Sequence, residues 1–149
     1  VFFPQINVEL IIRDEKNNTL YIWRDDLFKN YGWHLPGGII RPNEEIINRV
    51  KKVIQSETLV FNLVKKITGP ITISEVLNEK PGFRSHFISL VYLVVIENNG
   101  KLNKKNLSYS KSTFTNSIPK PLIKNHERYV ELLKKENDFL SAKDMNKAK

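Results

Sequence analysis

The chain has 149 residues, 40% of them hydrophobic and 27% charged, and a formal net charge of +8. That length supports one core, and its longest apolar run, Phe87 to Ile96, is about half of what a membrane helix requires. No cationic stretch precedes an apolar segment as in a secretory signal, and the absence of cysteine excludes disulfides, thiolate metal sites and cysteine nucleophiles. A cytoplasmic location fits that composition.

Ile6, Val8, Leu10 and Ile12 alternate with Asn7, Glu9 and Arg13, a period of two that predicts a half-buried strand. Glu15 to Asn18 is a polar turn, and Leu20 to Arg24 resumes the alternation as the second arm of a hairpin. Lys29 to Gly38 holds three glycines and a proline in ten residues and reads as loop. Asn43 is placed as an N-cap, with Glu44 and Glu45 in a first turn that favours anions. Ile46, Ile47, Val50, Val53 and Ile54 then form the apolar stripe of a helix ending near Thr58.

Gly69-Pro70 marks a break. Ile71 to Leu77 and Phe87 to Ile96 read as strands joined by a Pro81-Gly82 turn, and Asn98-Asn99-Gly100 closes the second. Between Asn98 and Lys124 stand six lysines and no acid, a stretch suited to steering phosphates or, more plainly, to solvation. Asn125 is placed to cap a last helix carrying Tyr129, Val130, Leu132 and Leu133, and residues 141–149 are a polar tail expected to fray. No repeat or linker divides residues 1–140, which are expected to form one domain of the α/β (α+β) class with a mixed sheet between helices.

A glycine pair opening a helix suits phosphate binding, although such pairs also serve as tight turns. The spacing beyond it is more specific. Glu44 follows Gly38 after five residues and Lys52 follows after seven more, with Ile54, Glu57 and Val60 at apolar, acidic and apolar positions. This resembles the Nudix box, and Gly32-Trp33-His34-Leu35-Pro36-Gly37-Gly38 is similar to the family's approach to it. The resemblance covers the domain plan as well, and implies an α/β/α sandwich with Gly38 and Glu44 as structural members of the box. It departs from the common box in having Val53 and Ser56 where that box has glutamates, Lys52 for its arginine and Leu59 for its late glycine.

One surviving carboxylate on that helical face does not suit several metals, whereas Mg²⁺ is commonly held by one or two carboxylates together with phosphates. The reduced box is similar to that of the GDP-mannose mannosyl hydrolase branch, which also keeps only the last glutamate and cleaves the sugar C–O bond. The resemblance implies Gly37 and Glu57 as ligands of one Mg²⁺. Glu9, Arg24 and His86 fall on that branch's acidic strand position, its basic second-strand position and its mid-domain histidine. Arg41 lies two residues beyond the arginine position, which Ile39 occupies, and is placed to reach back to a diphosphate. Trp33 and His34 are candidates for touching a base or sugar, against the plainer reading that both pack on the sheet, and Lys52 is a candidate for the substrate's charge. The branch's Gln-His pair, a ligand and a general base, is expected near Lys105 and Asn106, where no histidine occurs; His126 lies well downstream. Without an imidazole there, the base is sought in a carboxyl of raised pKa.

The implied function is Mg²⁺-dependent hydrolysis of a nucleoside diphosphate-linked sugar by a homodimer acting on a small molecule, with no membrane partner. The alternatives are another nucleoside diphosphate-X pyrophosphohydrolase and a catalytically degenerate nucleotide-binding module. RNA binding is disfavoured, because the lysines carry few interleaved aromatics beyond Tyr109 and Phe114.

Overall fold

The structure, a computed structural model, describes residues 3–25, 31–77, 86–98 and 107–140. Nine elements carry the architecture: β1 (Gln5–Arg13), β2 (Thr19–Asp25), β3 (Tyr31–His34), β4 (Gly37–Ile39), α1 (Ile46–Glu57), β5 (Val64–Leu77), β6 (His86–Ile96), β7 (Ser112–Thr115) and α2 (Val130–Leu133). The strands form one sheet in the order β3-β2-β1-β6-β5, with β4 added beside β1 and β7 beside β2. β1 runs parallel to β6 and the other pairings are antiparallel, so the sheet is mixed as expected.

Both faces of the sheet are covered. Val8, Leu10 and Ile12 pack with Val50, Val53 and Ile54 of α1 on one side. Ile11, Tyr21 and Val91 pack with Tyr129 and Leu133 on the other, where the 3₁₀ helix Lys124–Tyr129 leads into α2. β1 is therefore not half-buried: from Val8 to Arg13 every residue is covered. Even Arg13 lies inside, its guanidinium donating to the carbonyls of Leu133 and Lys135 at the end of α2 and so satisfying groups the helix leaves open.

Several local expectations are corrected. Lys29 to Gly38 is not all loop, because Tyr31–His34 and Gly37–Ile39 are strands. Their glycines serve close approach rather than turning. Gly32 (φ +141°) lies where a Cβ would come within 2.8 Å of the Leu122–Ile123 backbone; beside it Trp33 N–H donates to the Pro121 carbonyl at 2.8 Å and the Trp33 carbonyl accepts from Ile123 N–H at 3.0 Å. Gly69-Pro70 does not end a strand. It sits inside β5 at a register shift, where a Gly69 side chain would meet the Tyr92 ring. Asn43 is left-handed (φ 60°) rather than a cap; Glu45 takes the N-cap place without a side-chain bond, and the helix begins at Ile46. Asn125 likewise lies inside the 3₁₀ helix, whose cap position is Ile123. The Pro81-Gly82 turn, Asn99-Gly100, Lys101, Lys104, Lys105, Asn106 and the 141–149 tail fall outside the described residues. No helix among the described residues is long and apolar enough to cross a membrane.

Candidate active site

The site is organised around Gly37. β1 and β4 pair so that Glu9 stands opposite Gly37, while Leu10 N–H donates to the Pro36 carbonyl at 2.8 Å. A Cβ on Gly37 would lie 2.6 Å from the Val8 carbonyl oxygen, so only glycine fits. Gly38 faces α1, with space for a Cβ only 3.0 Å from Val53 Cγ2, and this lets the helix lie close to the strand. From the last turn of α1, Glu57 reaches back, and its Oε2 accepts the Gly37 N–H at 3.1 Å. Burial pushes the Glu57 carboxyl above the usual carboxylate range, opposed by that N–H and by the charge of Arg24.

Glu9 meets Gly37 from the opposite face of the sheet. Its Oε1 accepts from His126 Nε2–H at 3.0 Å, and His126 Nδ1 accepts the Leu35 N–H at 3.1 Å. A peptide N–H only donates, so this bond fixes His126 as the Nε2–H tautomer with its proton on the carboxylate side. Arg128 Nη2 lies 3.7 Å from Glu9 Oε2 and donates to Ser89 Oγ (3.1 Å) and the Tyr129 hydroxyl (2.8 Å). Burial works to raise the Glu9 pKa, but the hydrogen bond from His126, the Tyr129 hydroxyl and the Arg128 charge outweigh it and hold the carboxyl below its ordinary value. The same neighbourhood, burial first, raises the Tyr129 phenol.

Two cavities meet at Arg24. One, of about 320 Å³, is lined by Glu9, His126, Asn125, Arg128, Asn7 and Ser89 together with Gly37 and Gly38. The other, of about 360 Å³, is lined by Glu57, Ser56, His34, Asp25, Trp23 and Tyr109. Arg24 lines both and so places one cation between them. His34 is buried and its Nδ1–H donates to the Leu35 carbonyl at 2.9 Å. Desolvation pushes its pKa down to about 4, so it is neutral at pH 7, with its Nε2 lone pair unprotonated.

The sequence-derived candidates divide accordingly. Glu9, Arg24, His34, Gly37, Gly38 and Glu57 line these cavities. Trp33 packs edge-on against Trp23 with ring centroids 5.1 Å apart, and does not line either cavity. Glu44 receives a bidentate pair of bonds from Arg49 (2.7 Å each), the Arg41 N–H (3.2 Å) and Lys52 Nζ (3.2 Å). That network drives the Glu44 pKa down to about 2, chiefly through Arg49, and ties the loop to α1. Lys52 is thereby engaged away from both cavities, and the Arg41 side chain lines neither. His86 bonds Glu75 at 2.8 Å; it alternates with Phe87, which lines the first cavity, and so lies on the other face of β6. None of Arg41, Lys52 and His86 is brought into the site.

The structure adds a pair the sequence reading did not place there, Asn125–His126. It is an amide followed by a histidine, 20 residues beyond Lys105. The signal was local, but the length of the intervening segment hid its place. Among the described residues no three His, Asp or Glu side chains cluster as a metal cage. Glu57 is a single carboxylate at the end of α1 facing the glycine strand β4, and its Oε2 accepts the Gly37 N–H. Such a donor set fits a hard cation that keeps its water and is shared with phosphates, with Glu57 and the Gly37 carbonyl on the protein side.

The mixed sheet between helices is an architecture this chain shares with solved structures of Nudix proteins. No known family profile and no curated protein matches the sequence. Solved structures do. A MutT NUDIX hydrolase from Burkholderia pseudomallei is similar over 87% of this chain and 97% of its own, at 18% identity and a TM-score of 0.61. The NUDIX domain of Shewanella oneidensis NrtR, solved with ADP ribose, aligns over 88% and 86% at 16% identity and a TM-score of 0.60. A MutT protein from Methanosarcina mazei aligns over 99% and 98% at 19% identity and a TM-score of 0.56.

Proposed function

We propose that this protein is a Nudix hydrolase acting on a nucleoside diphosphate linked to a second group, and that this group is a sugar. The observation that carries the reading is the convergence on Gly37: Glu57 on one face, and the Glu9–His126 pair on the other. The fold is one that includes hydrolases and a domain solved with ADP ribose. The first cavity offers amide, hydroxyl, carboxylate and guanidinium groups, which suit a ligand rich in hydroxyls.

In this reading Arg24 binds the diphosphate from between the cavities and stabilises the charge left on it as the bond breaks. A magnesium ion bound by Glu57 and the Gly37 carbonyl would neutralise further diphosphate charge. Glu9, kept ionised by its donors and joined to His126, orients a water and takes its proton. Oxygen of that water bonds to the anomeric carbon, the bond from that carbon to the diphosphate oxygen breaks, and the products are free sugar and nucleoside diphosphate. Asn125 and His126 serve here as the amide–histidine pair of the mannosyl hydrolase branch. A second reading, a binding module without turnover, is favoured by the lone carboxylate on α1, where Val53 belongs to the core.

Incubation with Mg²⁺ and a panel of nucleotide sugars tests both. Nucleoside diphosphate plus sugar is expected, with Glu57→Gln slower by a factor of roughly 10² or more. Nucleoside monophosphate plus sugar phosphate would move the attack to phosphorus. Tight binding without any turnover would establish the module.

A further inference from the structure

The cavity on the α1 side of Arg24 holds Glu57 and Arg24, but its aromatic rim has been given no role. Trp23 N–H donates to the Lys111 carbonyl at 2.8 Å, which brings residues 109–111 alongside the end of β2. Tyr109 then stands 69% exposed at the rim of the cavity that Trp23 also lines, beside Arg24, Glu57 and His34. An exposed tyrosine and a tryptophan beside an arginine do not suit a bare anion, because their large apolar faces would gain nothing from it. They suit a planar ring joined to a phosphate. Lys111 Nζ lies over the rings of Trp23 and Trp33, 4.9 and 5.6 Å from their centroids, without lining the cavity itself. His34 contributes a bare Nε2 lone pair among the lining groups, an acceptor for an N–H or O–H of a base or ribose.

We infer that this cavity is the nucleoside subsite: the base lies against Trp23 and Tyr109, its phosphates lie on Arg24, and the second group of the substrate occupies the Glu9–His126 cavity. The inference rests on the nucleoside diphosphate reading but is separable from it, since it concerns binding and not turnover. It also sets a polarity for the substrate across Arg24. An open single-strand platform is disfavoured because, among the described residues, Tyr109 and Trp23 are the only large aromatic residues lining this cavity, enough for one base and not for a run of them.

Equilibrium binding of ADP, GDP and UDP is compared with that of inorganic pyrophosphate, all with Mg²⁺, by calorimetry and by quenching of the two tryptophans. The nucleoside diphosphates are expected to bind tighter by about tenfold or more and to quench Trp23. Tyr109→Ala and Trp23→Leu should each remove most of that preference and leave pyrophosphate affinity unchanged, while Trp23→Phe, which keeps a ring, should retain most of it. Tyr109 is exposed, so its variant tests the idea even if Trp23→Leu fails to fold. Equal affinity for pyrophosphate and nucleoside diphosphates, or a preference untouched by both substitutions, overturns the inference whether or not nucleotide sugars are hydrolysed. Tighter binding of a short single-stranded RNA than of any mononucleotide overturns it in favour of an open platform. A base-dependent preference lost in the variants upholds it even if no nucleotide sugar turns over.

Discussion

Glu9 and Glu57 approach the same glycine from opposite faces of the sheet and meet opposite surroundings. Glu9 is ringed by donors from the C-terminal segment, His126, Arg128 and Tyr129, and these overcome burial and hold it ionised. Glu57 has the Gly37 N–H and the more distant charge of Arg24, and burial prevails, raising its pKa. Two identical side chains that reach the same glycine are thus set to different chemistry by what packs around them. A carboxylate with donors remains charged and can orient water, whereas a carboxylate held dry gains by sharing its charge with a cation.

Removing His126 should break this contrast most severely. The residue is 5% exposed, and its ring satisfies both Leu35 N–H and Glu9. His126→Ala leaves the buried Leu35 N–H unpaired and takes from the buried Glu9 carboxylate its hydrogen bond to the imidazole, so a loss of roughly 2–4 kcal/mol is expected in urea unfolding. Any turnover that remains should fall by about 10² or more. A stable, active His126→Ala protein would show that the donors around Glu9 are dispensable.

Gly37→Ala comes next, because its Cβ would sit 2.6 Å from a backbone carbonyl oxygen that cannot yield. A cost of about 1–3 kcal/mol is expected, together with loss of the Glu57 contact and of turnover. Unchanged stability and turnover would separate the glycine from the site.

The two carboxylates can also be told apart by pH. Glu9, its folded pKa depressed below the ordinary 4.5, contributes stability that is present above that value and lost as pH falls through the lower folded pKa. Glu57, its folded pKa raised above 4.5, contributes stability that is full below 4.5 and lost as pH rises through the folded value. Glu9→Gln should therefore lower the urea midpoint at pH 7 and lose that effect in acid. Glu57→Gln should raise the midpoint at pH 7, keep the bond to Gly37 N–H, and lose its advantage below about pH 4.5. Shifts of the same sign for both would remove the distinction drawn between them.

The smallest effect is expected at His86, whose partner is the exposed Glu75 on the other face of β6. His86→Ala should leave turnover and the urea midpoint unchanged within error. A large drop in turnover would bring the His86–Glu75 pair into the mechanism.

The alternation of β1, the stripe of α1 and the Gly38-to-Glu57 spacing are local patterns, and from them the sequence determined the mixed sheet between helices and the glycine–carboxylate half of the site. The strands Tyr31–His34 and Gly37–Ile39 escaped the same reading. Their glycines look like turn residues, and their need for a bare backbone comes from partners far along the chain at Val8 and at Leu122–Ile123. The N-cap at Asn43 failed for a related reason: the loop takes a left-handed residue there, and Glu44 is drawn into bonds with Arg49 and Lys52 instead of leading the helix. Only the tertiary structure decided which histidine joins the site. His34 and His126 are 92 residues apart in the chain, yet their rings lie 6.1 Å apart, and His86 turns outward. Alternation along a strand can be read from spacing. Contact between Glu9 and a residue 117 positions away depends on how the C-terminal segment crosses the sheet, and no local pattern carries that information.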